Sequence, residues 1–282
     1  MKLVLAAVVL LLETCFAQAP PLTVDAEHAE AHRLGERHIL RSSSEKLIFG
    51  VDDYVELQLS VSPEGAVTNA SPAGGNKDFY TEASKAALTW KYRPFEKNDR
   101  PVYAEVQDYA HILPPEKRPP TPVPFPEIAD WKSLKLSLSR DLCLGSCPAY
   151  KLEVYGDGSV SYSGQAYVKY CGEYRGRISL GAVREIVSYF RAADYFWLYP
   201  DYTFGITDQP TFKTSIAFDG KHMSVNDYIG YQVGMPVSVI DVEDAIDRLA
   251  GPETWTSRKL ISRGKMEDCG DPPAPISIPN QK

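Results

Sequence analysis

From Val55 to Val61 apolar residues alternate with Glu56, Gln58 and Ser60. That two-residue period predicts a strand with one buried face. Pro63-Glu64-Gly65 turns the chain into a second strand near Ala66 to Ala70, and Gly74 to Asp78 reads as the loop that follows. Between Asp78 and Tyr92 the period lengthens: Phe79, Ala83, Ala86, Ala87 and Trp90 share one helical face, Asp78 and Glu82 suit its N-terminal end, and Pro94 stops it. Alternation resumes with Val102, Ala104 and Val106 in a final strand running to Ile112.

Further along, Leu134, Leu136 and Leu138 predict another strand, and Tyr150–Tyr155 and Ser159–Tyr162 a hairpin around Gly156-Asp157-Gly158. Val183, Ile186, Val187, Phe190 and Ala193 make an amphipathic helix that Ser179 can cap. Thr214–Phe218 and Lys221–Val225 form a second hairpin through Asp219-Gly220, the strongest short hairpin signal. Val239, Val242, Ile246 and Leu249 line a last helix, which starts after Pro236 and ends at Gly251-Pro252. The fold class is α+β: two small domains, each a mostly antiparallel sheet packed with one or two helices.

Between them, residues 114–126 hold seven prolines. Such a run can neither extend a helix nor pair in a sheet, so it reads as a semi-rigid polyproline spacer. It is expected to hold the second domain at a distance. At the start, Lys2 precedes an apolar run from Leu3 to Leu12 and a small-residue site, Ala17-Gln18-Ala19. This is the three-part pattern of a secretory leader. Ten residues rise only about 15 Å as a helix, half the roughly 30 Å of a bilayer core. Cleavage between Ala17 and Ala19 and export to the periplasm or beyond are therefore expected, with no membrane anchor left afterwards. Glu13 and Thr14 before Cys15 argue against lipid attachment. The organisation is a leader (1–19), a partly helical lead-in (20–49), a first domain (50–113), a linker (114–131), a second domain (132–257) and a Pro-containing tail (258–282).

A net charge of −7 argues against a nucleic-acid or anionic-membrane partner. Removing the leader takes Cys15 and leaves Cys143, Cys147, Cys171 and Cys269, an even number suited to two disulfides in an oxidising compartment. Cys143 and Cys147 are close enough for a local bridge, with Gly145 letting the chain curl, and Cys171 and Cys269 remain as the second pair.

Two resemblances follow. The runs V-E-L-Q-L-S-V-S-P-E-G-A-V, A-S-K-A-A-L-T-W-K-Y-R-P-F and N-D-R-P-V-Y-A-E-V resemble the C-terminal domain of TonB-type energy transducers over about residues 50–113, with Trp90, Tyr92, Pro94, Phe95, Pro101 and Val102 in that family's order. The resemblance implies the fold. The energy-transducing role does not carry over, because a transducer keeps its N-terminal membrane helix and places its Pro-rich reach before the domain. The runs L-C-L-G-S-C-P-A-Y-K-L-E-V-Y-G-D-G-S-V-S-Y-S-G, T-D-Q-P-T and D-V-E-D-A-I-D-R-L-A-G-P-E-T-W resemble DUF6438, a bacterial domain family of unknown function, over about residues 132–257. That likeness implies no activity.

No catalytic residue, cofactor or metal is expected. Cys143 and Cys147 have three residues between them, where thiol oxidoreductases use two. His28 and His32 share a helical face, but Glu30 falls two residues after His28, about 200° around the helix, so the zinc-protease geometry fails. Tyr202, Thr207, Asp208 and Thr211 surround a turn before Pro210 and form a candidate site, although an Asp bonding local backbone explains it as well. The leading expectation is a non-catalytic interaction module whose partner is another envelope protein. The contact would be strand addition along the last strand of the first domain, which carries Tyr103, Glu105, Gln107 and Tyr109 on one face. A metal-binding or thiol-redox accessory protein is the alternative, and a hydrolase with an interdomain site a third.

Overall fold

The computed structural model describes residues 20–252, apart from 36, 45, 46, 48 and 52. The leader, Cys269 and the tail lie outside the described residues. No described helix is long and apolar enough to cross a membrane. The architecture is α+β, in two compact units. Of the described residues, the first takes those from 20 to 40 together with those from 50 to 112, and the second takes those from 41 to 49 and from 113 to 252.

Unit 1 opens with β1 (Leu22–Val24), α1 (Ala26–His32), β2 (Arg33–Leu34) and β3 (Ile39–Arg41). Asp25 caps α1 by accepting the His28 N–H at 2.9 Å. The alternating run then forms β4 (Tyr54–Val61), followed by β5 (Val67–Gly75), α2 (Tyr80–Ala87), β6 (Lys91–Tyr92) and β7 (Ala104–Leu113). The sheet order is β1-β7-β4-β5, with β3 also paired to β7. β1 runs parallel to β7, and the β4–β5 and β4–β7 pairings are antiparallel. Val55, Leu57, Leu59 and Val61 are wholly buried, each such side chain stabilising the fold by roughly 1.5–3 kcal/mol before conformational costs.

One expectation is corrected here. The helix ends at Ala87, well before Pro94: Thr89 and Trp90 donate to the carbonyls of Ala86 and Ala87 in tight i→i−3 bonds. Lys91–Tyr92 then leave as a short antiparallel ladder with Arg33–Leu34. The Tyr92 N–H also donates to the Gly65 carbonyl at 2.8 Å, over a turn where Gly65 sits at φ +82°. A Cβ at Gly65 would fall 1.9 Å from the Tyr92 carbonyl oxygen, so both the positive φ and the close approach demand glycine. The lead-in supplies β1, α1, β2 and β3.

In unit 2, β8 (Lys135–Arg140), β9 (Ala149–Tyr155), β10 (Ser159–Ala166) and β11 (Gly172–Arg177) form a meander, followed by α3 (Leu180–Ala192). Then come β12 (Asp201–Thr203), β13 (Phe212–Phe218), β14 (Lys221–Tyr228) and α4 (Ser238–Ala250). The seven strands lie in the order β11-β10-β9-β8-β13-β14-β12, antiparallel except for β12 beside β14. Helices α3 and α4 pack on each other, and α4 touches β8, β9 and β13. The core between them is built on Leu136, Leu138, Leu152, Ile186, Phe190, Ile216 and Val242. Ser179 caps α3 through the Ala182 N–H, and Gly251 ends α4. The Asp219-Gly220 turn has both residues at positive φ, 49° and 73°, the geometry of a two-residue hairpin turn.

The Pro-rich segment is not a free spacer. Prolines donate no N–H, and the carbonyls around them are captured by side chains of unit 2. Trp197 Nε1 donates to Pro119 O at 2.7 Å and Tyr202 OH to Lys117 O at 2.8 Å. The Lys117 N–H reaches Gly234 O at 2.7 Å, and Arg118 bonds Ala193 O while lying over the Trp197 ring. Phe125 then packs on Phe196 and Phe218. Residues 117–125 are thus a strap laid along the second unit.

Candidate functional site

The proposed contact strand, β7, does turn Glu105, Gln107 and Tyr109 outward, with Tyr103 exposed just before it, while Ala104, Val106, Asp108 and Ala110 point inward. It does not present an open edge. Leu22–Val24 pair with Ala104–Val106, and the His111 N–H donates to His38 O at 2.8 Å, so the lead-in covers the side away from β4. Among the described residues the outer strand on the other flank is β5. Pro72 within it offers no donor, and its pairing with β4 is interrupted by two register shifts, both ordinary protections of an exposed edge. What remains accessible on β7 is its face. Gln107 Nε2 donates to Glu56 Oε1 at 2.7 Å and to the Tyr109 hydroxyl at 3.2 Å. Tyr54 meets Tyr109 edge-on at 5.9 Å, and Ser60 donates to Glu105 at 3.0 Å.

Behind that strand lies a buried polar cluster that the sequence reading missed. Asp108 is 1% exposed and accepts from Tyr92 OH at 2.6 Å, Arg33 Nη2 at 3.1 Å and the Tyr109 N–H at 2.7 Å. His38 Nδ1 lies 3.3 Å from Oδ2, the oxygen that also accepts from Tyr92, and the His38 ring stacks on Trp90 at 3.3 Å between centroids. Burial alone would raise the Asp108 pKa, but His38, Tyr92, Arg33 and the Tyr109 N–H outweigh it and hold the carboxyl below its ordinary value. Burial pushes His38 down, favouring neutral imidazole, and pushes the Tyr92 phenol up together with the Asp108 charge. A His–Asp pair of this kind could orient a general base, but the Tyr92 and Arg33 bonds here tie β6 and β2 to β7.

A second missed group sits in unit 2. Glu243 on α4 is 3% exposed, and its Oε1 has no hydrogen-bond partner. Asp227 on β14 accepts the Gly230 N–H at 2.6 Å, yet burial lifts its pKa to about 6. Burial also raises Glu243 well above the usual carboxylate range, with the Asp227 charge adding to it. Nearby, Asp247 is held by Arg140 and by Tyr150 OH at 2.5 Å. All three missed acids carry a common signal: they occupy apolar phases. Asp108 falls between Val106 and Ala110, Asp227 two residues after Val225, and Glu243 in the Val239, Val242, Ile246 stripe.

The candidate turn is not assembled as a site. Tyr202 is buried and holds the strap, Thr207 Oγ1 donates to Asp208 Oδ2, and Asp208 O and Thr211 O accept the N–H groups of Leu144 and Asp141. Those bonds anchor the Cys143–Cys147 loop, whose disulfide is formed. Cys171 is also disulfide-bonded, and Cys269, the partner expected for it, lies outside the described residues. His28 is bound to Asp25 and His32 to the His28 carbonyl, while His38 points into the Asp108 cluster, so the three histidines do not converge. No group of metal-ligand side chains occurs among the described residues.

No curated protein matches the chain. The comparisons give no support to the TonB-like resemblance of residues 50–113. Residues 134–250, from just before β8 to the end of α4, are similar to the family model of a domain of unknown function, DUF6438.

Proposed function

We propose that the protein is an exported, non-catalytic interaction module that binds another envelope protein through unit 1. The observation that carries this reading is the solvent-facing side of β4 and β7, where Tyr54, Tyr103 and Tyr109 stand beside Glu56, Glu105 and Gln107. Tyrosine gives large contact area at low entropic cost, and a hydrogen-bonded row of Glu and Gln beside it offers selectivity. The strand-addition route along β7 is dropped, because the lead-in covers that edge. A TonB-like ancestry for residues 50–113 fits the strand-strand-helix-strand order and belongs to the same proposal. The leader pattern at residues 1–19 supports export.

A photocrosslinking side chain installed at Tyr103 or Tyr109 tests this in the native envelope. The expected result is one discrete adduct, which is lost when the other tyrosine is changed to Ala in a variant with unchanged circular dichroism. Equal crosslinking from Lys221, on β14 of unit 2, would remove the assignment to this face.

A further inference from the structure

Asp227, Phe212, Arg140 and Tyr150 stand in one cross-strand row over β14, β13, β8 and β9. Each has the phase of the buried residues on its own strand, so the row faces the core of unit 2. Asp247 of α4 is seated on Arg140 and Tyr150, and Glu243 lies one helical turn before it on the same helix face. Three carboxyl groups are thus gathered at this end of the core, while Arg140, the cation facing Glu243, is already engaged by Asp247. Tyr195, whose hydroxyl meets that of Thr214, and Asp244 also lie around Glu243. Glu243 is 3% and Asp227 6% exposed, and Glu243 Oε1 has no hydrogen-bond partner. Two buried carboxylates without a counter-charge are too costly to keep ionised together, so the pair takes up protons.

Asp227 also opens a tight turn that carries the strap. Its carboxyl accepts the Gly230 N–H at 2.6 Å, and between them Ile229 sits at φ +53°, a left-handed conformation that a β-branched side chain resists. A Cβ at Gly230 would fall 2.7 Å from Tyr202 Cβ and 2.9 Å from Met235 Sδ, so the turn is packed hard against its neighbours. At its far end Gly234 O accepts the Lys117 N–H, and Tyr202 OH holds the Lys117 carbonyl. We propose that Asp227 and Glu243 form a proton-operated latch: with protons on the pair the turn is closed and the strap is held, and with both acids ionised the turn opens and Lys117 is released. Burial lifts Asp227 to about 6 and Glu243 well above the usual carboxylate range. Since the folded-state values are raised, the stabilisation is complete below the ordinary carboxylate range and is lost as pH rises, first at Asp227 through about 6.

The test uses the full mature protein and two readouts between about pH 5 and pH 9: the carboxyl carbon shifts of Asp227 and Glu243, and the hydrogen-exchange protection of the Gly230 and Lys117 amides, corrected for intrinsic rates. The expected result is a Glu243 carboxyl still protonated at pH 7 while Asp227 titrates, with protection of both amides falling at least about tenfold from pH 5 to pH 9. The Leu152 amide, on the central strand β9, should keep its protection throughout. Asp227→Asn/Glu243→Gln should retain the pH 5 protection at pH 9, and Asp227→Asn alone, which keeps an oxygen for the Gly230 N–H, should retain most of it. Glu243 ionised at pH 7 overturns the proton-binding pair. Protection at Gly230 and Lys117 that does not change with pH, or that falls as steeply in both variants as in the wild type, overturns the latch. An equal fall at Leu152 overturns it too, because the whole unit is then opening.

Discussion

The Tyr92 hydroxyl and the Asp108 carboxylate meet at 2.6 Å in the interior of unit 1, one from the two-residue strand β6 and the other from the central strand β7. This bond joins the minor ladder to the main sheet. Arg33, the ladder's other strand, reaches the same carboxylate.

Asp108→Asn should therefore cost unit 1 about 3 kcal/mol, because it leaves Arg33 without its counter-charge in a buried setting. Tyr92→Phe, losing one hydrogen bond, should cost about 1–2 kcal/mol. The Asp108 pKa is depressed, so its contribution is present above the ordinary value of 3.8 and is lost as pH falls through the lower folded-state value. Urea titrations at pH 7 and pH 3 check this: the Asn penalty should be clear at the first and reduced at the second.

Unit 2 should respond in the opposite sense. Asp227 titrates at about 6 against an ordinary 3.8, so the folded state binds more protons between those values and acidification stabilises it. Asp227→Asn keeps an oxygen for the Gly230 N–H and removes the buried charge. It should gain up to about 3 kcal/mol at pH 7.5 and nothing near pH 4. Thermal melts of variant and wild type across that range would show the crossover, and a gain that does not change with pH would point to packing instead.

The strap can be tested by proteolysis. The Lys117–Arg118 bond is a tryptic site whose flanking backbone is held by Gly234 and Tyr202. Tyr202→Phe removes the bond to the Lys117 carbonyl and the one accepted from the Tyr199 N–H, about 1 kcal/mol each, and should speed cleavage there several-fold under native conditions. A spacer hanging free would be cut at the same rate in both proteins.

Non-reducing peptide mapping should find Cys143 joined to Cys147 and Cys171 joined to Cys269. In the chain-entropy model the short ring is worth about 2 kcal/mol and the long one about 4–5 kcal/mol. Cys171→Ser should then lower stability more than Cys143→Ser, as measured by denaturant midpoints.

Much of unit 2 was legible in the sequence because its elements are long enough to show a period. Asp219-Gly220 marked its hairpin, Ser179 and Gly251 marked helix ends, and the Cys143–Cys147 spacing marked the local bridge. Unit 1 was harder. Strands of two or three residues, such as Leu22–Val24 and Arg33–Leu34, carry no period, so the pairings made by the lead-in left no pattern to read. Trp90 continued the helical spacing, but tertiary pairing with β2 drew it out of the helix. The strap was invisible because composition describes how a Pro-rich segment behaves alone, whereas Trp197 and Tyr202 decide where this one lies. The buried acids were present as a readable anomaly, polar residues on apolar phases, and only the structure says what each one touches.

The pairing of β1 with β7 also sets a timetable. Leu22 is synthesised long before its partner Ala104, and β3 must likewise wait for the end of the same strand. Contacts this far apart in sequence slow folding, since the loop between them must close before either end is rewarded. Unit 1 cannot finish while its chain is still emerging, so a nascent chain arrested before residue 104 should hold residues 20–41 unprotected, and they should become ordered only on release.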